Sequence, residues 1–162
     1  NCPQDKTKFI AKHFYEISDT EIIIENNKPY FKSKEIFFSI SHSNDIVLVA
    51  FNNKNIGVDV EFLCERKNYK AIMERYGKIV HNPSRVDFYK FWTIHEAEIK
   101  LNSEIKSLFS SRLGKDYIVS CVSDDVFVTS CFIKQLSCNG DNIDLIQEFN
   151  NPEKCYLISN IE

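Results

Sequence analysis

Three segments of the chain repeat their apolar residues at the spacing of an amphipathic helix. Residues 9–17 place four apolar side chains on one side, and Ser18 and Asp19 end the pattern. Residues 68–76 carry apolar side chains at positions i, i+3, i+4 and i+7. Residues 86–101 contain no Gly or Pro and are rich in aromatic residues. The pattern therefore predicts three helices, of which the last is the longest.

Short apolar runs of strand length, bounded by turn residues, occupy much of the remaining chain. In the first half they predict strands at 21–25, 46–51 and 56–61. In the second half, Asp-Asp, Asn-Gly-Asp and Asn-Asn-Pro turns separate predicted strands at 117–122, 126–133, 143–149 and 155–159. Helices and strands are mixed without a repeat or a low-complexity linker, which predicts an α+β fold.

The turns of the first half determine where several polar side chains are expected. Residues 52–55 form a turn between two apolar runs, so those runs are expected to pair as a β-hairpin. Residues 26–29 are a second turn cluster because Pro cannot continue a ladder, which predicts that Lys28 lies on a loop. The polar segment 38–43 is interpreted as a turn whose hydroxyl and imidazole groups could bind a phosphate, and an ordinary loop without such a role is the alternative.

The composition is that of a globular protein and narrows the functional classes. Of 162 residues, 43% are hydrophobic and 27% are charged, which is enough to build a core. The net charge of −3 gives no basic field for nucleic acid, and no run reaches the roughly 18 apolar residues of a membrane helix. Six cysteines without a Cys-x-x-Cys pair argue against a zinc site. We expect a cytoplasmic protein with reduced thiols that binds neither nucleic acid nor a membrane.

Two carboxylates in the predicted strand 56–61 are candidates for chemistry. The strand period of two puts Asp59 and Glu61 on one face and the valines between them on the other. A solvated polar face of a half-exposed strand explains this pattern equally well. On the long helix, Glu96 and Lys100 are four residues apart and so share a face, which also fits an ordinary surface ion pair. Together, three carboxylates and a lysine form a set that could hold Mg²⁺ against substrate phosphates.

Three ordered motifs share their pattern with a known family. They are FFSISHS at 37–43, IGVDVE at 56–61 and FWTIHEAEIK at 91–100. In this order they resemble the 4′-phosphopantetheinyl transferase superfamily. The third is similar to the W-x-x-K-E-A/S-x-x-K signature of the surfactin-synthetase-activating type, with His95 in place of the first lysine. The resemblance covers residues 28–100, and the strand-rich tail is compatible with it.

The resemblance implies a role for each of several residues. The implied ligands for Mg²⁺, or for Mn²⁺ in its place, are Asp59, Glu61 and Glu96. The implied contacts with coenzyme A, the substrate, are made by Lys28, Ser41, His42, His95 and Lys100. The implied catalytic residues are Glu61, Glu96 and Lys100.

The implied reaction transfers the 4′-phosphopantetheine group of coenzyme A to a serine of an apo acyl or peptidyl carrier protein, as in fatty acid biosynthesis. The serine attacks the β-phosphate and 3′,5′-ADP leaves. Lys100 would stabilise or protonate the leaving group, and Glu61 would help to remove the serine proton, directly or through a water. Carrier proteins are generally acidic, so the segment 66–78, in which cations outnumber acidic residues, is the candidate docking face. An ordinary solvated helix face is the alternative.

The same resemblance implies two related α/β halves in a pseudo-dimer, with the first half reduced. Residues 1–55 would be the shortened N-terminal half with coenzyme A contacts, and residues 56–162 the C-terminal half with the metal site and the catalytic helix. Together they would form one compact catalytic unit. The motif at 92–100 favours a monomer, and a trimer of single modules is the alternative.

The sequence also departs from the family pattern, which keeps other functions open. The glycines that usually follow the second lysine of the signature are absent from 101–105, and no acidic residue lies between Gly77 and Arg85, where many relatives carry a candidate base. The identity of the general base therefore stays open. The alternatives are a noncatalytic module that binds coenzyme A or a carrier protein, and a metal-dependent phosphodiesterase that uses the same three carboxylates.

Overall fold

The computed structural model describes residues 3–126 and three later strands of the chain. The helices and strands are α1 (Pro3–Tyr15), β1 (Ile22–Glu25), β2 (Lys28–Phe31), β3 (Phe37–Ser43), β4 (Ile46–Asn52), β5 (Ile56–Phe62), α2 (Tyr69–Arg75), α3 (Arg85–Leu101), β6 (Ser107–Leu113), β7 (Tyr117–Ser123), β8 (Phe132–Asn139), β9 (Asn142–Leu145) and β10 (Lys154–Ser159). All three predicted helices are present, and the α+β class is confirmed.

The first two strands form a hairpin whose turn has two residues. Asn26 and Asn27 have φ angles of 50° and 63°, the left-handed conformation that tight hairpin turns require and asparagine tolerates. Lys28 is consequently the first residue of β2, so the prediction that it lies on a loop is wrong. Pro29 pairs with Ile24 in a ribbon of two strands. Both strands of such a ribbon are edge strands, where the missing N–H of proline is tolerated.

Two larger sheets build the rest of the described fold. The first has the order β3-β4-β10-β8-β9, in which β10 runs parallel to β4 and the other neighbours are antiparallel. The second is antiparallel, with the order β5-β7-β6. The predicted hairpin of β4 and β5 is wrong because β3 and β10 already pair with both edges of β4. Since β4 and β10 come from opposite sides of residue 55, strands of both predicted halves share one sheet.

The serine-rich strand β3 joins the two sheets through its side chains. The hydroxyl oxygens of Ser39, Ser41 and Ser43 accept hydrogen bonds from backbone N–H groups of β5 at 3.0–3.3 Å. The serines are two residues apart, so a strand presents all of them on one face. The interpretation of 38–43 as a turn is therefore wrong, and we refer to this row of contacts as the serine seam.

Apolar side chains of the described residues form four clusters around these sheets, of which three are larger. Ile10 of α1 packs with Phe31, Phe38 and Phe51 on one side of the first sheet. Between the sheets, a second cluster includes residues of β4, β5 and β7 such as Leu48, Val58 and Val119. A third cluster fixes α2 and α3 on the second sheet and includes Met73, Phe88, Tyr89 and Ile118. As a result, α3 is held across the face of β5 that carries the carboxylates.

Local sequence sets both ends of α3. The Asp87 N–H donates to Ser84 Oγ at 3.2 Å, and the Ser84 N–H donates to the Asp87 carboxylate at 2.9 Å, which completes a capping box. At the other end, Asn102 adopts a left-handed φ of 54°. The helix ends at Leu101, so Lys100 lies in its last turn.

The strands of the second half agree with the predictions only in part. β7 and β10 confirm the strands predicted at 117–122 and 155–159. β6 was not predicted, because its sequence SLFSSRL has no clear alternation. Residues 127–131 and 146–149 of two further predicted strands lie outside the described residues. In the part of the chain that is described, no helix is long and apolar enough to cross a membrane.

Candidate functional site

Lys100 of α3 contacts the buried carboxylate of Asp59 on β5. Lys100 Nζ donates to Asp59 Oδ1 at 2.8 Å and to the carbonyl oxygen of Val58 at 3.0 Å. Asp59 is only 5% exposed, so this ion pair lies where the Coulomb interaction is stronger than in water. Ser41 Oγ donates to the same oxygen at 2.7 Å. The other oxygen, Asp59 Oδ2, is buried and has no hydrogen-bond partner among the described residues.

A glycine two residues before Asp59 allows α3 to approach the strand. A Cβ atom at Gly57 would lie 2.7 Å from the backbone nitrogen of Leu101 and closer still to the carbonyl oxygen of Ala97. Glycine in a strand often marks such a close approach of another backbone. The contact therefore sets the distance between β5 and the last turn of α3, on which Lys100 lies.

Glu61 lies on the same face of β5 as Asp59 and is half-buried. Ser43 Oγ donates to Glu61 Oε2 at 3.2 Å. Burial and the nearby charge of Asp59 raise the pKa of Glu61, while Ser43, Arg66 and Lys100 act in the opposite direction. The charge of Asp59 thus opposes the ionisation of Glu61, and a cation close to both carboxylates would relieve this repulsion.

A cleft of about 410 Å³ opens between the β1–β2 turn, β3 and the end of α3. Lys28 and Lys100 both line it, together with apolar side chains that include Ile40 and Ile99. Its described lining residues include no carboxylate. Burial lowers the pKa of Lys28 to about 8, and the charge of Asp124 opposes this shift. The cleft therefore suits a ligand that is partly apolar and partly anionic.

Asn55 connects Lys28 to the end of α3, where Lys100 lies. Lys28 Nζ donates to Asn55 Oδ1 and, at 2.7 Å, to the carbonyl oxygen of Ile56. Asn55 Nδ2 donates to the carbonyl oxygen of Leu101 at 2.7 Å, at the end of α3. A single amide side chain thus holds the ammonium group of Lys28 and the helix end next to Lys100.

His95 lies in a different place from the other predicted site residues. Its ring packs against Tyr76, Phe91 and Trp92, with centroid distances of 4.7, 6.0 and 5.9 Å. Tyr76, Phe91 and His95 line a second cleft of about 580 Å³ between α2 and α3, which Lys78 and other side chains complete. The structure therefore separates His95 from the cleft that Lys28 and Lys100 line.

The structure brings together some of the predicted site residues and not others. Asp59, Glu61, Ser41 and Lys100 are in one network, whereas His42 is exposed, because strand alternation turns it to the opposite face of β3 from Ser41. The Ser41 hydroxyl is already engaged by Asp59 and the Val60 N–H. The predicted contacts of Ser41, His42 and His95 with coenzyme A stay predictions.

The predicted metal site can be tested against the donors that are present. The described residues contain no group of three His, Cys, Asp or Glu side chains arranged to hold one metal ion. Two carboxylates do share the face, and the buried Asp59 Oδ2 lacks a partner among the described residues. Mg²⁺ takes oxygen ligands and usually keeps several waters or phosphate oxygens, so one or two carboxylates suffice. The donors fit Mg²⁺, and Glu96, half-buried one turn before Lys100, stays a predicted third ligand.

Sequence reasoning missed two features of the site. The sequence predicts Asn55 only as a turn residue, and no pattern in it indicates the contacts of Asn55 with Lys28 and α3. The serine seam does carry a signal, because Ser39, Ser41 and Ser43 recur with the period of a strand. The alternation of these serines predicts the strand β3, whereas the polar composition of the segment predicts a turn.

Comparison with known proteins gives two relatives with the same name. A protein of Haemophilus influenzae, provisionally named 4′-phosphopantetheinyl transferase, is 33% identical over 47% of this chain and 37% of its own length. The 4′-phosphopantetheinyl transferase psf-1 of Bacillus pumilus is 30% identical over 67% of this chain and 53% of its own length. The chain thus spans about a third of one relative and about half of the other. No protein-family model matches the chain.

Proposed function

Because the chain belongs to the 4′-phosphopantetheinyl transferase superfamily, we propose that it transfers the phosphopantetheine group of coenzyme A to a serine of an apo carrier protein. The surfactin-synthetase-activating type, the pseudo-dimeric arrangement of residues 1–55 and 56–162, and a monomeric state are parts of the same proposal. The observation that carries it is the cleft lined by two lysines, next to a buried carboxylate that has one oxygen without a partner among the described residues.

The two lysines would act on the phosphates of coenzyme A. Lys100 lines the cleft while its ammonium group contacts Asp59, so it would lie between a phosphate bound in the cleft and the carboxylates. From there it would stabilise the charge that develops on the leaving 3′,5′-ADP. Lys28 would bind a phosphate from the opposite wall. Ile40 and Ile99 would contact apolar parts of the ligand.

The carboxylates would hold a divalent cation and receive a proton. Mg²⁺, or Mn²⁺ in its place, would be held by Asp59, whose Oδ2 has no partner among the described residues, by Glu61, and by Glu96 as a third ligand. When bound, the metal would neutralise the pyrophosphate. A raised pKa makes Glu61 a stronger base than an ordinary exposed carboxylate, which suits it to take the proton of the attacking serine, directly or through a water.

The carrier protein would approach over α2. This helix and its flanks carry the cations Arg66, Lys67, Lys70, Arg75 and Lys78. Beside them, Tyr76 and Val80 are 45% and 48% exposed and border the second cleft. Exposed apolar side chains next to these cations are complementary to the acidic surface that carrier proteins generally present, although Asp87 and Glu98 also line the second cleft. The aromatic cluster around His95 would then support docking.

Transfer can be measured directly as a gain in carrier mass. The protein is mixed with Mg²⁺, coenzyme A and apo carrier proteins of fatty acid, polyketide and peptide synthesis, and each carrier is weighed by mass spectrometry. We expect a gain of one phosphopantetheine group. Asp59→Ala should abolish the gain, whereas Asp116→Ala, on an exposed turn, should not.

Other outcomes of this assay would favour the alternatives. Binding of coenzyme A without any mass gain across all carriers would indicate a noncatalytic binding module and overturn the transferase proposal. Metal-dependent cleavage of coenzyme A in the absence of a carrier would indicate a phosphodiesterase.

The role of Asn55 gives a separate prediction about coenzyme A binding. Asn55→Ala removes one acceptor of Lys28 and a donor to the end of α3, so the Lys28 ammonium group keeps its hydrogen bond to the Ile56 carbonyl oxygen but is held less firmly at the cleft. A charge-assisted hydrogen bond contributes about 1.5 kcal/mol, so we expect roughly tenfold weaker binding by calorimetry. Asn53→Ala, in the same turn and exposed, is the matched control. Equal dissociation constants for both variants would contradict the role of Asn55.

A further inference from the structure

The serine seam repeats one contact three times. β5 pairs with β7 along one edge, and β3 is not its hydrogen-bonded neighbour in either sheet, so the N–H groups of Val58, Val60 and Phe62 have no ladder partner there. Ser39, Ser41 and Ser43 accept these N–H groups at 3.1, 3.3 and 3.0 Å. Each serine therefore satisfies a donor that the sheets leave unpaired.

Two of the three serines make a second contact, to a carboxylate of β5. A hydroxyl that accepts an N–H still has its own proton to donate. Ser41 donates it to Asp59 at 2.7 Å and Ser43 donates it to Glu61 at 3.2 Å, in each case the residue before the N–H that is bound. The corresponding residue for Ser39 is Gly57, which has no side chain.

These contacts determine which oxygen of the Asp59 carboxylate has no hydrogen-bond partner among the described residues. Ser41 and Lys100 both bind Asp59 Oδ1, and Oδ2 is the oxygen left without a partner among the described residues. Without the Ser41 hydroxyl, the carboxylate could rotate so that both oxygens share Lys100. In the same way, the Ser43 hydroxyl holds Glu61 by its Oε2 atom.

We propose that Ser41 and Ser43 are positioning residues, which hold Asp59 and Glu61 with a defined oxygen directed toward a divalent cation. Toward β5, Ser39 supplies the backbone contact and no bond to a carboxylate among the described residues, and it also lines the first cleft. This inference rests on the metal site of the proposed function, and it assigns to Ser41 a role toward Asp59 instead of a contact with coenzyme A.

The seam contains its own control for an experiment. Ser39→Ala, Ser41→Ala and Ser43→Ala each remove one N–H acceptor, so all three should lower the midpoint of urea unfolding without metal. Ser41→Ala and Ser43→Ala also remove a hydrogen bond to a carboxylate and should lower it further. Mg²⁺ affinity, measured by calorimetry and by the rise in Tm on adding Mg²⁺, should fall about tenfold or more for Ser41→Ala and Ser43→Ala, as for other residues that orient metal ligands. It should stay at the wild-type value for Ser39→Ala, and Ser43→Thr, which restores a hydroxyl, should recover it.

Two results would overturn the inference. Equal Mg²⁺ affinity in all three alanine variants would show that the hydroxyls do not orient the carboxylates toward a metal. A wild-type protein that binds no Mg²⁺ would also overturn the inference, because there would be no cation to receive the oriented oxygens. Mg²⁺ binding is measured without coenzyme A or carrier, so its result does not depend on transfer. If Mg²⁺ affinity depends on Ser41 and Ser43 but the protein transfers no phosphopantetheine, the proposed function is overturned and this inference stands.

Discussion

Replacing Gly57 by alanine is expected to remove most of the activity and to destabilise the protein. The new Cβ would overlap the backbone of α3 at Ala97 and Leu101, and backbone atoms cannot move aside as a flexible side chain can. Overpacking of this kind costs about 3 kcal/mol. The helix can relieve the overlap only by moving away from β5, which carries Lys100 away from Asp59. A displacement of about 1 Å at a reacting group can cost about 100-fold in rate.

Urea unfolding and the carrier-mass assay would measure the two effects of Gly57→Ala. Gly114→Ala is the matched control, because Gly114 has a φ of 62° and open space around its Cα. That variant has only the cost of a left-handed alanine, about 1 to 2 kcal/mol, and should keep its transfer rate. Normal transfer by Gly57→Ala would mean that the approach of α3 to β5 does not set the geometry of the site.

Replacing Lys100 by methionine should separate the structural role of the ion pair from its chemical role. The variant keeps most of the side-chain stem but leaves Asp59 buried without its cation, which costs about 3 kcal/mol for a buried pair. It also removes the charge that would stabilise the leaving group, so we expect a rate about 100- to 1000-fold lower.

A double variant then distinguishes the two effects. Asp59→Asn combined with Lys100→Met leaves no unpaired charge, so it should regain most of the stability while transferring no phosphopantetheine. Lys106→Met, at an exposed position just after α3, is the control for loss of a surface lysine. Transfer at the wild-type rate by Lys100→Met would exclude Lys100 from the reaction.

The separation of His95 from Lys100 follows from helix geometry, which the sequence already contains once residues 86–101 are assigned to a helix. Successive residues of an α-helix are about 100° apart, so positions 95 and 100 point in directions that differ by about 140°. His95 and Lys100 therefore could not both face the same narrow cleft, although the family signature includes both positions. The structure places His95 among the rings next to α2 and Lys100 beside Asp59.

By itself, the sequence determined the features that depend on local geometry. The period of a strand put Asp59 and Glu61 on one face, and the period of a helix put Glu96 and Lys100 on one face of α3. The three ordered motifs also identified the family. Each of these follows from residues that are close along the chain, where backbone geometry alone fixes the relation between side chains.

Tertiary structure alone decided how these faces meet. The partner strands of β4, the seam between Ser41 and Asp59, and the contact of Asn55 with both Lys28 and the end of α3 depend on pairings between distant elements. The side-chain contacts among them join residues that are 18 to 46 positions apart. Such contacts depend on which strand edges remain free after the sheets form and on how closely two backbones can approach. Neither quantity is encoded in a periodic pattern, since both arise only when separate elements compete for the same surface.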